Sequence, residues 1–408
     1  MSKNAQWFEK LQTVTPWGSG TCSKRARLTP EEPSVVVKGS GCRIWDADGK
    51  AYIDYRNGLG PITLGYCYKA VDDAVIEQLK SGISFSYPTP LEYEVAEMIT
   101  KLRPHFGMAK FLKTGGEACS AAIRIARAYT EKSHIIQIGY NGWLNSLASS
   151  ARVLPGQKLS GGVPGVPAGI SQYYHTASFG DIDKISALFD EYAGDVAAVT
   201  VAVDYAGFYG GKEFYPTLRA LCDKHKALII CDEIVAGFHY AMGGASEYFD
   251  FESDLSVYAK GFANGMPISA VAGRTDVMKV CDYGGKVVVS STYAGESLSL
   301  AAAKTVVSIF KTENVIDHLW KMGELLISNI NMLFDTYGIP LVYKGAWPVM
   351  SLSAKKEAPE GCADAFTRLA FKHGVSLYNC VYINYSHKEQ DINETIERLE
   401  SAMKELKA

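Results

Sequence analysis

Hydrophobic positions along this chain change their spacing from helical to alternating and back, and the changes mark its elements. Over residues 4–13, Trp7, Phe8 and Leu11 recur at helical spacing and predict a short amphipathic arm. A stretch rich in Gly, Ser and Thr over 16–33, holding Lys24, Arg25 and Arg27, reads as a loop. Residues 34–46 and 51–55 read as strands around Ala47-Asp48-Gly49-Lys50, where Asp-Gly is a hairpin signal. Gly58-Leu59-Gly60-Pro61 is a turn, and 70–82 a helix. From about residue 90, helix and strand alternate: helix 90–103, strand 109–112, a helix to 130, strand 134–138, helix 180–192, strand 196–203, helix 213–225 and strand 227–231. That alternation predicts an α/β fold with a mainly parallel sheet flanked by helices.

Residues 151–170 interrupt the series with three prolines and five glycines, and a loop of that length is a candidate lid. Helices over 297–310 and 315–337, strand-like stretches 340–353 and 374–383, and helices 361–372 and 388–407 predict a smaller α+β domain. The expected organisation is an N-terminal segment 1–65 belonging to the small domain, a large domain 66–305, and a C-terminal part 306–408.

Composition narrows the function classes. With 47% hydrophobic residues and a net charge of −3 the chain reads as an ordinary globular protein, without the basic footprint of a nucleic-acid binder. Nine cysteines with no CxxC pair read as reduced thiols. The first ten residues lack the apolar core of a signal peptide, and no apolar run approaches the roughly 18 residues of a membrane span. A cytoplasmic protein without membrane attachment is therefore expected, and no metal-ligand pattern is evident.

The chemistry concentrates between 227 and 260. One apolar run delivers Asp232 at its end, and a second, 255–259, delivers Lys260. An acid and an amine at two strand ends can hold the ring nitrogen and the aldehyde carbon of pyridoxal phosphate. A carboxylate at that nitrogen keeps it protonated, so the ring accepts electrons. Lys260, after an apolar strand and before Gly-Phe-Ala-Asn-Gly-Met-Pro, is a candidate Schiff-base amine, whose pKa burial and cationic neighbours would lower. Taken alone, Asp232 also reads as a turn cap and Lys260 as a surface lysine. Thr114, Gly115 and Gly116 lie between a strand and a helix, where backbone N–H groups suit a phosphate; a capped glycine turn is the competing reading. Tyr140 can stack on a flat ring or pack in the core. Thr292 offers a hydroxyl at the opening of a helix.

Taken together, Phe111-Leu-Lys-Thr-Gly-Gly-Glu-Ala118, Tyr140-Asn-Gly142, Asp232-Glu-Ile-Val-Ala-Gly-Phe238, Lys260-Gly-Phe-Ala-Asn-Gly-Met-Pro-Ile268 and Ser291-Thr292 resemble class III aminotransferases, most nearly the glutamate-1-semialdehyde aminomutase branch. The likeness extends over nearly the whole chain. It implies the fold-type I architecture of pyridoxal-phosphate-dependent transferases and a homodimer with active sites at the subunit interface. It also implies Lys260 as the Schiff-base lysine, Asp232 at the pyridine nitrogen, Thr114, Gly115 and Gly116 at the phosphate, Tyr140 on the ring, and Thr292 reaching the neighbouring subunit's phosphate. The family usually has threonine at Gly116 and histidine at Asn141.

Other departures bear on substrate. The aminomutase Ser-Trp is Gly58-Leu59, the usual arginine is His239, Glu-Pro is Asp204-Tyr205, and 378–384 holds no acid. Candidate substrate residues are Arg25, Arg56, Phe85, Tyr87, Tyr205 and His239, with Asn57 and Asn379. The expected reaction moves an amino group from L-glutamate to a sugar or sugar-acid aldehyde, such as an 8-oxo-3,8-dideoxy-octulosonate of lipopolysaccharide amino-sugar (8-amino-Kdo) biosynthesis. The aminomutase itself, another class III aminotransferase or racemase, and a non-catalytic ligand-binding protein are the alternatives.

Overall fold

The computed structural model describes residues 1–144 and 164–407. They fall into two compact units, Ala70–Ile316 and the combination of Met1–Lys69 with Asp317–Ala408. The second boundary lies in the first turn of the helix Val315–Thr336.

The first unit is built on a seven-stranded sheet. In spatial order its strands are Met108–Leu112, Ser269–Gly273, Leu255–Tyr258, Leu228–Asp232, Val196–Ala202, His134–Ile138 and Tyr174–Ala177. Ser269–Gly273 runs antiparallel to both neighbours, and the remaining pairings are parallel. Every residue of Leu228–Asp232 and all but the last of Val196–Ala202 are buried. Unbroken apolar runs, rather than alternation, are what a strand covered on both faces requires.

The helix Gly115–Thr130 packs on this sheet through Ala118, Cys119, Ala121, Ala122, Ile123, Ile125 and Ala126. Small residues on that face allow close approach to the strands. The chain passes from Leu112 into the helix within two residues, so the helix N-terminus sits at a strand end.

Two strands of this sheet are absent from the pattern read above. Ser269–Gly273 has the small side chains Ser-Ala-Val-Ala-Gly, which give a weak apolar signal. Its Gly273 is required by packing, because a Cβ there would lie 2.4 Å from the Asp254 carbonyl oxygen. Tyr174–Ala177 is four residues long at the sheet edge. Of the expected lid over 151–170, residues 151–163 lie outside the described part, and Ala168–Ser171 is a short helix.

In the other unit the two ends of the chain share a sheet. Val36–Ser40, Arg43–Asp46 and Ala51–Asp54 form an antiparallel meander, and Val375–Ser376 adds to Ala51–Asp54 in parallel. The single strand expected over 34–46 is thus a hairpin, broken at Gly41, whose φ of +57° suits glycine. Leu341–Ala346, Val349–Ala354 and Cys380–Tyr382 make a separate three-stranded antiparallel sheet.

Candidate active site

Asp232 ends its strand with its side chain 7% exposed. One carboxylate oxygen accepts the Ile234 N–H at 3.0 Å. The other accepts Asn141 Nδ2 at 3.1 Å and the Cys119 thiol at 3.6 Å. Burial pushes the carboxyl pKa up, while those donors and the charge of Lys260 pull against it. A buried acid held by neutral donors in this way is suited to a cationic N–H partner.

Lys260 lies two residues beyond Leu255–Tyr258, at the start of the turn Lys260–Ala263, and is half-buried. Its φ of +50° is a left-handed conformation that costs a non-glycine residue of order 1 kcal/mol or more. Strain of this kind aims a side chain where regular backbone would not. His239 is fully buried, and burial together with the Lys260 charge brings its pKa down to about 4. The imidazole is therefore neutral near pH 7.

The glycine turn stands beside these groups. Thr114 caps the helix Gly115–Thr130 in a reciprocal box: its hydroxyl accepts the Glu117 N–H at 3.3 Å, and Glu117 accepts the Thr114 N–H at 2.8 Å. A Cβ on Gly115 would lie 2.5 Å from Ile234 Cδ1, so the helix end abuts the turn that follows Asp232. Cys119, one turn further on, touches Asp232 itself. Lys113, just before the cap, pairs with Glu296 at 2.8 Å.

The structure thus brings Asp232, Lys260, His239 and the 114–116 turn together. Tyr140 is half exposed at the end of His134–Ile138, after Gly139 with a φ of +77°. Thr292 does not open a helix. It is exposed in the turn 291–294, and the helix Ser297–Thr312 is capped by Glu296, whose carboxylate accepts from Leu298 and Ser299. In the same unit Phe85 and Tyr87 are exposed and Tyr205 is half-buried.

In the other unit, Arg56 is already engaged. It pairs with Glu32 at 2.5 Å, donates to the Ser23 carbonyl at 2.9 Å and stacks on Tyr378. Asn57 is buried and bonded to Tyr382 and Asn384. Arg25 lies over the Trp17 ring and Arg27 over Tyr378. Lys24, Arg25 and Arg27 make no ion pair among the described residues.

Sequence reasoning noted Asn141 only as a departure and passed over Cys119 and Thr200. These three complete the setting of Asp232, with Thr200 donating to Asn141 Oδ1 at 3.2 Å. Nothing local marked them, because they come from a helix, a loop and a neighbouring strand.

The residues fit pyridoxal phosphate on chemical grounds: a buried carboxylate, a lysine in a left-handed turn, and a helix N-terminus with two glycines at its start. Among the described residues no helix is long and apolar enough to cross a membrane, and no group of three or more His, Cys, Asp or Glu is placed to hold a metal.

The model of the class III aminotransferases matches residues 26–403. The chain is 30% identical to the glutamate-1-semialdehyde 2,1-aminomutase of Acetivibrio thermocellus, over 98% of this chain and 97% of that one. It is 29% identical to the protein of the same name from Persephonella marina, over 100% and 99%. Among solved structures, the pyridoxal-phosphate internal-aldimine form of the FumI protein of Sphingopyxis sp. MTA144 superposes with a TM-score of 0.88 at 25% identity, covering 99% of this chain and 96% of that one. The chain belongs to the class III aminotransferase family and is a pyridoxal-phosphate-dependent transaminase of fold-type I.

Proposed function

We propose that this transaminase transfers the amino group of L-glutamate to the aldehyde of an anionic sugar, of the 8-oxo-3,8-dideoxy-octulosonate type used in lipopolysaccharide amino-sugar biosynthesis. The cofactor supplies an electrophilic aldehyde and an electron-accepting ring. Lys260 Nζ would hold the cofactor at that aldehyde and would move the proton at the reacting carbon as base and then acid. Asp232 would keep the pyridine nitrogen protonated. Backbone N–H groups of Gly115 and Gly116, with Thr114, would hold the phosphate, and Tyr140 would cover the ring. We further propose a cytoplasmic homodimer, in which the exposed Thr292 reaches the partner's cofactor phosphate.

What supports the substrate class is the set of departures from the aminomutase pattern: Gly58-Leu59 for Ser-Trp, Asp204-Tyr205 for Glu-Pro, His239 for arginine, and no acid over 378–384. They suit a hydroxylated, carboxylated acceptor better than a small amino acid. Arg25 and Arg56 are the candidate cations for its carboxylate. Phe85, Tyr87, Tyr205 and His239 remain candidates for the rest of the acceptor. The relatives' names favour a second reading, glutamate-1-semialdehyde aminomutation.

The two readings separate in one assay. Purified protein given glutamate and the 8-oxo sugar acid is expected to form 2-oxoglutarate and the amino sugar, and to leave glutamate-1-semialdehyde unchanged. Turnover of the semialdehyde without any amine transfer from glutamate would falsify the sugar reading. Lys260→Ala is expected to abolish transfer; near-normal activity in that variant removes Lys260 from its role.

A further inference from the structure

We propose that Asn141, oriented by Thr200, is a positioning residue that fixes the Asp232 carboxylate toward the cofactor's pyridine nitrogen, with Cys119 as a second, weaker donor. The inference rests on the assignment of Asp232 to that nitrogen.

Three adjacent parallel strands deliver the parts. Asn141 follows His134–Ile138, Thr200 lies in Val196–Ala202, and Asp232 ends Leu228–Asp232. Their side chains form a continuous buried line. Thr200 Oγ1 meets Asn141 Oδ1 at 3.2 Å, and Asn141 Nδ2 meets Asp232 Oδ2 at 3.1 Å. Thr200 and Asn141 are each 2% exposed.

The polarity of the line is determined by its end. An ionised carboxylate only accepts, so Asn141 must turn its NH₂ to Asp232 and its oxygen to Thr200, which then donates. Neither amide orientation nor hydroxyl rotor is left to choose. Cys119 Sγ adds a donor at 3.6 Å to the same oxygen, and Ile234 N–H occupies the other at 3.0 Å. Both oxygens are therefore fixed from within the protein, and the orientation of the carboxyl plane is set before any ligand binds.

The choice of an amide has a chemical consequence. An imidazole at this place changes charge near neutral pH, whereas an amide does not. The other groups facing Asp232 are the Cys119 thiol from the helix and the Lys260 charge from its turn. The neighbouring Cys231 thiol on the Asp232 strand is committed to Glu233 at 3.1 Å, and His239 is faced by Lys260. Asn141 thus keeps one titrating group away from the acid that must stay ionised.

The test uses holoenzyme reconstituted with cofactor labelled with ¹⁵N at the ring, so that the shift reports the protonation of that nitrogen, together with cofactor affinity. Asn141→Ala is expected to move the ¹⁵N shift toward the unprotonated form and to weaken cofactor binding roughly ten- to a hundredfold, as for loss of a hydrogen bond to a charged group. Thr200→Val removes only the orienting hydroxyl and is expected to change both readouts in the same direction by less. Asn141→His is expected to rescue affinity while adding a pH step to the ¹⁵N shift in the ordinary histidine range that wild type lacks. If Asp232→Ala shifts the ¹⁵N signal while Asn141→Ala and Thr200→Val leave shift and affinity at wild-type values, the positioning role is overturned. If Asp232→Ala leaves the signal unchanged, the assignment of Asp232 fails, and the inference with it. Should Asn141→Ala not fold, Thr200→Val decides alone, since it preserves side-chain shape.

Discussion

Glu233 follows Asp232 in sequence and has a different task. It is fully buried, and its two oxygens accept the Ala245 and Ser246 N–H groups, each at 2.8 Å, while the Cys231 thiol donates at 3.1 Å. The carboxylate thereby ties the end of the Asp232 strand to the short helix Ala245–Tyr248. Burial raises its pKa, but three donors compensate the charged form. Replacing one oxygen by NH₂ sets a donor against donors. Glu233→Gln is therefore expected to destabilise the protein by about 2–4 kcal/mol, read as a lower urea midpoint of the apoprotein. An unchanged midpoint means that the pairing contributes nothing. The paired acids Asp232-Glu233 look alike as letters; only their surroundings separate the one facing the site from the one holding the backbone.

At the scale of elements, the helix Gly115–Thr130 joins packing to chemistry. Its start was legible because the signals are local: Thr-Gly-Gly-Glu carries cap, glycines and box acid within four residues. Thr114→Ala removes the cap and is expected to lower stability by about 1 kcal/mol and to weaken cofactor affinity as well. Denaturant midpoints of apo and reconstituted protein measure the two effects apart: a purely structural cap lowers both midpoints equally, whereas a phosphate ligand lowers the reconstituted one more. Gly115→Ala acts on another link. Its Cβ would press on Ile234 at 2.5 Å, and the Ile234 N–H holds Asp232 at 3.0 Å. Because the atom met is the far end of a flexible side chain, the fold is expected to survive while cofactor affinity falls; equal affinity in the variant would show that the turn absorbs the shift. The parallel sheet was legible for the same local reason, since buried strands are continuous apolar runs. Ser269–Gly273 was not, because close packing selects small side chains there, and neither was the Asn141–Thr200 line, whose members meet only after three strands are aligned. Thr292 was misplaced by five residues relative to its helix, because Glu296 supplies the cap through its side chain, and glutamate is a weak sequence signal for that position.

Across the whole molecule, each of the two units encloses a histidine held neutral by burial: His239 in one and His387 in the other. His387 is stacked on Tyr55 at 4.5 Å, and its Nδ1 accepts the Asn384 N–H at 3.0 Å, which requires an unprotonated nitrogen. Burial brings its pKa down to about 3, and that of His239 to about 4. In the unfolded chain both titrate near 6.5, so below that pH the unfolded state takes up protons that the native state refuses. Stability from this source is complete above pH 6.5 and is lost progressively as pH falls toward the native values. Between pH 6.5 and 4.5 each histidine is expected to cost roughly 2–3 kcal/mol, so apoprotein urea midpoints are expected to drop steeply over that interval. His387→Asn lowers the midpoint at pH 7 through the lost stack, yet it is expected to flatten the acid slope, since one strongly depressed histidine is gone while His239 and the less depressed His105, His175 and His318 remain. A variant slope as steep as wild type would place the acid sensitivity elsewhere in the molecule, with the raised carboxyls of Asp232 and Glu233 excluded as its source, because an acid with an elevated native pKa stabilises the fold as pH falls.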